Sequence, residues 1–150
     1  LGNPESLDAD DCLGQMVFHE LCHSLVQGPH SFDEPDWGLE NVGDRDVDRE
    51  HACLRVQATL GRRYGLERVF APTTDFRAFY DALGDDALGG DDPSVALAHA
   101  ALERAEGPPW QPHLTAALAA TRALAEVSAP FADEGSLWAR FSPARGRERP

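Results

Sequence analysis

Hydrophobic positions recur at helical spacing along nearly the whole chain. The first such segment, from about Asp8 to Val26, has Leu13, Gly14, Val17, Phe18, Leu21, Leu25 and Val26 around most of its circumference. That pattern predicts a central, buried helix. Ser6 is placed to cap it, with Asp8, Asp10 and Asp11 at its positive end, and Gly28-Pro29 ends it. A second helix is expected from about Asp44 to Arg63, closed by Tyr64-Gly65. A third starts near Thr74, with Phe76, Phe79, Tyr80 and Leu83 at i, i+3, i+4 and i+7. Asp92 as cap and Pro93 in the first turn open a fourth, which continues through Val95, Ala98 and Leu102. A fifth carries Trp110, Leu114, Ala117, Leu118, Leu124 and Ala125 on one face, with Thr121 as its one polar position. Strand-like alternation is nearly absent, Arg68-Val69-Phe70-Ala71 being the best match. The expected fold is mainly α, about five helices around the first one, with little or no sheet.

Composition narrows the function classes. A chain of 150 residues makes one domain, read as residues 1–130. Residues 131–150 form a tail that docks through Leu137, Trp138 and Phe141 before loosening at Pro143-Ala144-Arg145-Gly146-Arg147. Eleven prolines and 13 glycines interrupt the helical pattern too often for a coiled coil. No apolar run approaches the roughly 20 residues of a membrane span. The net charge is −13, and residues 1–50 alone carry 13 acidic against two basic side chains, so no general affinity for nucleic acid or an anionic membrane is expected. Cys12, Cys22 and Cys53 are too few and too odd in number for a disulfide framework. Cys22 and Cys53 fall where a bridge between helices is geometrically allowed, but a reduced pair in the core is the simpler expectation. Cys12 reads as a small buried hydrophobe. No signal-peptide pattern is visible, which favours the cytoplasm, and Leu1 in place of methionine suggests a trimmed chain.

Chemistry concentrates in the first helix, where His19-Glu20-Leu21-Cys22-His23 has the pattern H-E-x-x-H. Residues four apart lie about 40° from each other around a helix, so both imidazoles face one point. Two imidazoles so placed supply two corners of a tetrahedral zinc site. The adjacent Glu20 lies at the edge of the same face and can hold a zinc-bound water. Zinc lowers the pKa of such a water from about 15.7 to roughly 7, and Glu20 takes the proton as the nucleophile forms. The plain alternative is a hydrogen-bonded polar cluster with no metal.

Three residues compete to be the third ligand. Glu50 lies in the second helix, in a sector with Cys53, Leu54, Gln57 and Gly61 that is otherwise poor in charge. A carboxylate among such neighbours wants a cation, which makes Glu50 the first choice. His51 is the second, and it also suits a supporting position or a proton donor to the reacting oxygen. His30 is out of register with the metzincin pattern, which needs glycine and histidine three and six positions after the second ligand. Val26 and Pro29 occupy those positions.

H-E-x-x-H followed by a glutamate on the next helix resembles the gluzincin branch of the zincin metallopeptidases, especially its smallest, minigluzincin-type members. The resemblance covers roughly residues 8–60, and the five-residue motif is its specific part. It implies zinc held by His19, His23 and Glu50, with Glu20 as general base and acid in peptide hydrolysis, and a peptide or protein substrate. Family members place a small sheet before the active-site helix, whose edge strand pairs with the substrate backbone. Only 18 residues precede His19 here. An upstream segment or a partner chain is therefore expected to supply that strand, unless substrate binds differently.

The stretch from Gly28 to Gly43 has no evident structure and joins the two metal-bearing helices, so it is expected to wall the cleft. Trp37 within it is a candidate substrate contact or a plain anchoring aromatic. Its acid, with that of the first helix, would favour basic substrates. Tyr64, Tyr80, His51 and His113 are unranked candidates to assist the transition state. Two other functions compete. Glu20-x-x-His23 and Asp48-x-x-His51, with Glu103, Glu106 and Glu126, can be arranged as a di-iron carboxylate bundle. A helical interaction module with a structural or silent metal site is the second.

Overall fold

The computed structural model describes residues 13–39, 46–72, 76–134 and 141. Among them the chain forms five α-helices and no strand: α1 (Leu13–Gln27), α2 (Val47–Arg63), α3 (Arg77–Ala82), α4 (Pro93–Arg104) and α5 (His113–Ser128). The fold is mainly α, as the periodicity predicts. Ser6, Asp8, Asp10, Asp11, Cys12, Glu40, Asn41, Asp44, Thr74, Leu137, Trp138 and residues 143–147, on which parts of the sequence reading rest, lie outside the described residues.

Helices α1, α2 and α4 pack on one another, and α3 packs on α2. The core joins Phe18, Cys22 and Leu25 of α1 to Cys53, Val56 and Leu60 of α2 and Ala98 and Leu102 of α4. Leu114, Leu118 and Ala125 of α5 complete it, with Trp110 and Phe141. A smaller cluster of Leu54, Ala58, Ala71, Tyr80 and Ala87 seats α3 on the other side of α2.

Helix α1 departs from the expectation of burial all round. Leu13, Val17 and Leu21, at i, i+4 and i+8, are 63%, 42% and 37% exposed. Gly14 is exposed as well, while Cys22 and Leu25 are fully buried. Only one side of the helix meets α2 and α4, so the opposite stripe stays at the surface. Its C-terminal end is fixed from α4: Arg104 Nη1 donates to the carbonyls of Leu25 at 2.8 Å and Val26 at 3.1 Å. Those carbonyls have lost their helical partners, and a cation is favoured at that end. Gly28, at φ 86°, turns the chain out of the helix.

Arg68-Val69-Phe70-Ala71 is a turn rather than a strand. Val69, Phe70 and Ala71 are all buried, which an alternating strand with one solvent face would not give, and Phe70 N–H bonds the Leu66 carbonyl at 2.9 Å. This segment passes close to α2, where a Cβ on Gly61 would stand 3.0 Å from Glu67 Cα. Buried Arg55 ties α2 to the approach to α4, donating to Ser94 Oγ at 2.7 Å and the Ala87 carbonyl at 2.8 Å. Asp92 caps α4 as expected, accepting from Ser94 N–H at 2.9 Å. In α3, Phe76 takes a left-handed φ of 61° and forms the cap rather than the first turn. The predicted apolar face of α5 is narrower than its spacing implied: Trp110 precedes the helix, Ala117 is exposed, and Leu124 is 63% exposed.

Candidate metal centre

The contact between α1 and α2 brings His19 and His23 opposite Glu50, Cys53 and Gln57, which share one face of α2 at i, i+3 and i+7. The imidazoles meet edge to face with centroids 4.6 Å apart, and their Nε2 atoms are separated by 3.1 Å. Glu50 spans both: Oε1 lies 3.2 Å from His23 Nε2, and Oε2 lies 3.8 Å from His19 Nε2. Four-coordinate zinc, with bonds of about 2.0–2.1 Å to nitrogen and oxygen, sets its donors about 3.3 Å apart. The 3.1 Å between the imidazole nitrogens and the 3.2 Å from His23 Nε2 to Glu50 Oε1 lie close to that value, while the 3.8 Å contact to His19 is made by the other carboxylate oxygen.

Gln57 decides which nitrogen of His19 faces this triangle. The Gln57 amide nitrogen donates to the Phe70 carbonyl, so its Oε1 must be the atom 3.0 Å from His19 Nδ1. Nδ1 therefore carries the proton and Nε2 presents a lone pair beside His23 and Glu50. His23 is buried at 4% exposure, and its Nδ1 has no hydrogen-bond partner among the described residues.

A second donor set uses the same histidines. One ligand atom each from His19, His23 and Cys53 lies within 4.8 Å of the other two, so this group can hold a metal ion. Cys53 Sγ approaches the Nδ1 side of His19, at 3.6 Å, and donates to the His19 carbonyl at 3.4 Å. Glu50 occupies the Nε2 side instead. Cys22 and Cys53 are both free and buried, matching the expected reduced pair.

The electrostatics follow from this enclosure. Burial, then the proximity of His23, hold His19 below the usual histidine value, against the pull of Gln57, Glu50 and Glu20. Burial pushes Glu50 up, but the hydrogen bond and charge of His23, with His19 and His51, outweigh it and leave the carboxyl below its ordinary value. Burial pushes the Cys53 thiol well up, and Cys22 adds to the effect.

Glu20 is exposed rather than buried, and Trp37 Nε1–H donates to its Oε2 at 2.8 Å. The described part of the connecting loop is more ordered than its sequence suggested. It holds 3-10 turns at Pro29–Ser31 and Pro35–Gly38 and contacts α1 through both.

His51 neighbours Glu50 in sequence, but its ring stacks on Phe79 at 3.7 Å with 6° between planes. It makes no hydrogen bond or ion pair with the donor group among the described residues. His30 is exposed in the first 3-10 turn. Tyr80 is committed to the Glu67 carbonyl at 3.0 Å, while Tyr64 is half-buried and His113 exposed at the start of α5. The carboxylates of the di-iron scheme are not gathered: Asp48 and Glu103 are exposed, Glu106 pairs with Arg63, and Glu126 pairs with Arg122.

Sequence reasoning placed Gln57 and Cys53 in the sector of Glu50 without giving either a part in the site. The i, i+3, i+7 spacing was the available signal. For the bond between Trp37 and Glu20 there was none, because it depends on the path of an irregular loop.

No family model, no curated protein and no solved structure matches this chain.

Proposed function

We propose that this domain is a zinc-dependent metallopeptidase in which His19, His23 and Glu50 hold the metal and Glu20 accepts the proton of the attacking water. The observation that carries the reading is the convergence of the two imidazole Nε2 atoms, 3.1 Å apart, on the Glu50 carboxylate, which reaches His23 with Oε1 at 3.2 Å and His19 with Oε2 at 3.8 Å, on the helix that also carries the H-E-x-x-H glutamate. When bound, zinc supplies Lewis acidity toward a carbonyl and acidifies a water by several pKa units.

The chain's own residues divide the remaining work. Gln57 keeps the proton of His19 on Nδ1, so that Nε2 stays a ligand. Glu50 contributes the negative charge that offsets a dication between two neutral imidazoles. Glu20 stands close enough to His19 for its charge to act there, yet it remains exposed. Its Oε1 has no hydrogen-bond partner among the described residues and is the atom assigned to take up the proton, later returning it to the leaving amine. The substrate class is a peptide or protein. Its binding strand is expected from an upstream segment or from a partner chain.

The closeness of Cys53 to both histidines favours a second reading: a closed structural site of His19, His23, Cys53 and Glu50 in a helical interaction module. Metal content and ligation separate the two. The peptidase predicts one zinc per chain, lost in His19→Ala and Glu50→Ala and kept in Cys53→Ala. Cobalt substitution should give no thiolate-to-metal charge-transfer band. Glu20→Gln should keep the zinc and abolish cleavage of a peptide library. A strong thiolate band, with zinc lost in Cys53→Ala, would move the conclusion to the structural site. Protein that takes up no zinc would leave only a polar cluster.

A further inference from the structure

We propose that Trp37 is a positioning residue that fixes the orientation of the Glu20 carboxylate through its indole N–H. The inference rests on the reading of Glu20 as proton acceptor and adds to it the means by which an exposed side chain is kept in one orientation. Glu20 projects from the side of α1 that the core does not cover, between exposed Val17 and Leu21. A glutamate there has several rotamers open to it, and few would serve a reaction at the donor triangle. The bond from Trp37 Nε1–H to Oε2, at 2.8 Å, selects one and leaves Oε1 to accept a proton.

Trp37 is itself held for this task. Asp36 and Trp37 take left-handed φ values of 47° and 58°, followed by Gly38 at 73°. Non-glycine residues rarely adopt this conformation, and two in succession persist only where the surroundings enforce it. An aromatic row supplies the enforcement. Trp37 meets Phe32 edge to face at 6.1 Å, and Phe32 meets Trp110 at 5.9 Å. Trp110 is buried and donates its own indole N–H to Ser24 Oγ on α1 at 2.9 Å. The row thus begins and ends on the helix that carries the motif. Trp110 bonds α1 one turn beyond Glu20, so loop and helix are registered at two points.

The test uses the full chain loaded with zinc and labelled with nitrogen-15, read at its indole N–H signals. Trp37→Phe assigns the Trp37 signal. Glu20→Ala should shift that signal and speed its exchange with solvent, while the Trp110 signal stays in place as the internal reference. If the Trp37 signal is unmoved by Glu20→Ala, the inference is overturned.

A kinetic arm reads the same bond. Trp37→Phe should lower kcat about tenfold, the effect of one hydrogen bond to a charged group, with KM and zinc content unchanged. A rise in KM with kcat retained would make Trp37 a substrate contact and overturn the positioning role. Zinc-loaded wild-type protein that cleaves nothing would defeat the peptidase reading instead. The indole signals would still decide whether Trp37 holds Glu20.

Discussion

The two sides of α1 are held by different means. On the inner side, His23, Cys22 and Leu25 are locked against α2 and α4, and the positions of the metal donors are set by the same packing that folds the domain. On the outer side, Val17, Glu20 and Leu21 face solvent, and Glu20 is restrained by one hydrogen bond from a loop. Core packing is dense and tolerates little displacement, whereas loops can be repositioned at small cost to stability. Stability and the geometry of the candidate ligands therefore belong to one side of the helix, and the proton handling proposed for Glu20 to the other. Mutations should separate them.

The largest effect should come from the inner side. Leu25 is fully buried where α1 meets its neighbours, and Leu25→Ala is expected to cost about 2–5 kcal/mol, measured by denaturant unfolding of the metal-free protein. Added zinc should recover part of that loss, because metal binding to the native state is linked to folding. A cost below about 1 kcal/mol would mean that the inner side is not the structural half of the helix.

Gln57→Leu tests whether the inner side also sets metal affinity. The variant keeps the volume roughly but removes the acceptor from His19 Nδ1 and the donor to the Phe70 carbonyl. Loss of an outer partner of this kind lowers metal affinity about 10–100-fold, and a competitive zinc titration against a chelating dye would read it. Cys53→Ala, whose thiol also lies on the Nδ1 side of His19 but at 3.6 Å, should change the same titration far less. Equal losses in the two variants would erase the distinction between the Glu50 and Cys53 donor sets.

Acid should act on the inner side first. In the metal-free protein His19 sits below the usual histidine value of 6.5 and Glu50 below the usual glutamate value of 4.5. Both groups take up protons more readily in the unfolded chain. Stability is therefore fully present above pH 6.5 and declines as the pH falls, first through His19 and then, below 4.5, through Glu50. Melting temperatures of His19→Gln and wild type across this range should show a shallower decline for the variant between pH 6.5 and 5. With zinc bound the decline should steepen, since protons compete with the metal for the same nitrogens.

How much of this was legible in the sequence depends on the kind of order involved. The five helices, the Asp92 cap and the placing of His19 and His23 on one face follow from local geometry, whereas the arrival of Glu50 beside them depends on how α2 docks on α1, which its charge-poor sector only suggested. The exposed stripe of α1 was not legible, because seven apolar positions around a helix say that it can be buried everywhere and not which neighbours arrive. His51 shows the same limit: its position beside Glu50 is set by the chain, but its stacking on Phe79 is set by where α3 docks. Trp37 is the extreme case, since its partner lies 17 residues away across a loop without periodicity.

The smallest expected effect is the sharpest check on the outer side. Val17 lies one helical turn before Leu21 and is 42% exposed, so Val17→Ser removes little apolar contact that the fold already uses. Stability should change by less than about 0.5 kcal/mol and zinc content not at all. The same stripe flanks Glu20, however, and an extended peptide reaching the donor triangle would pass beside it. If that face contacts substrate side chains, KM should rise while kcat, zinc content and melting temperature hold. A substantial loss of stability would instead mean that Val17 is covered in the working protein. The outer side of α1 would then be an interface and not the open flank of an active site.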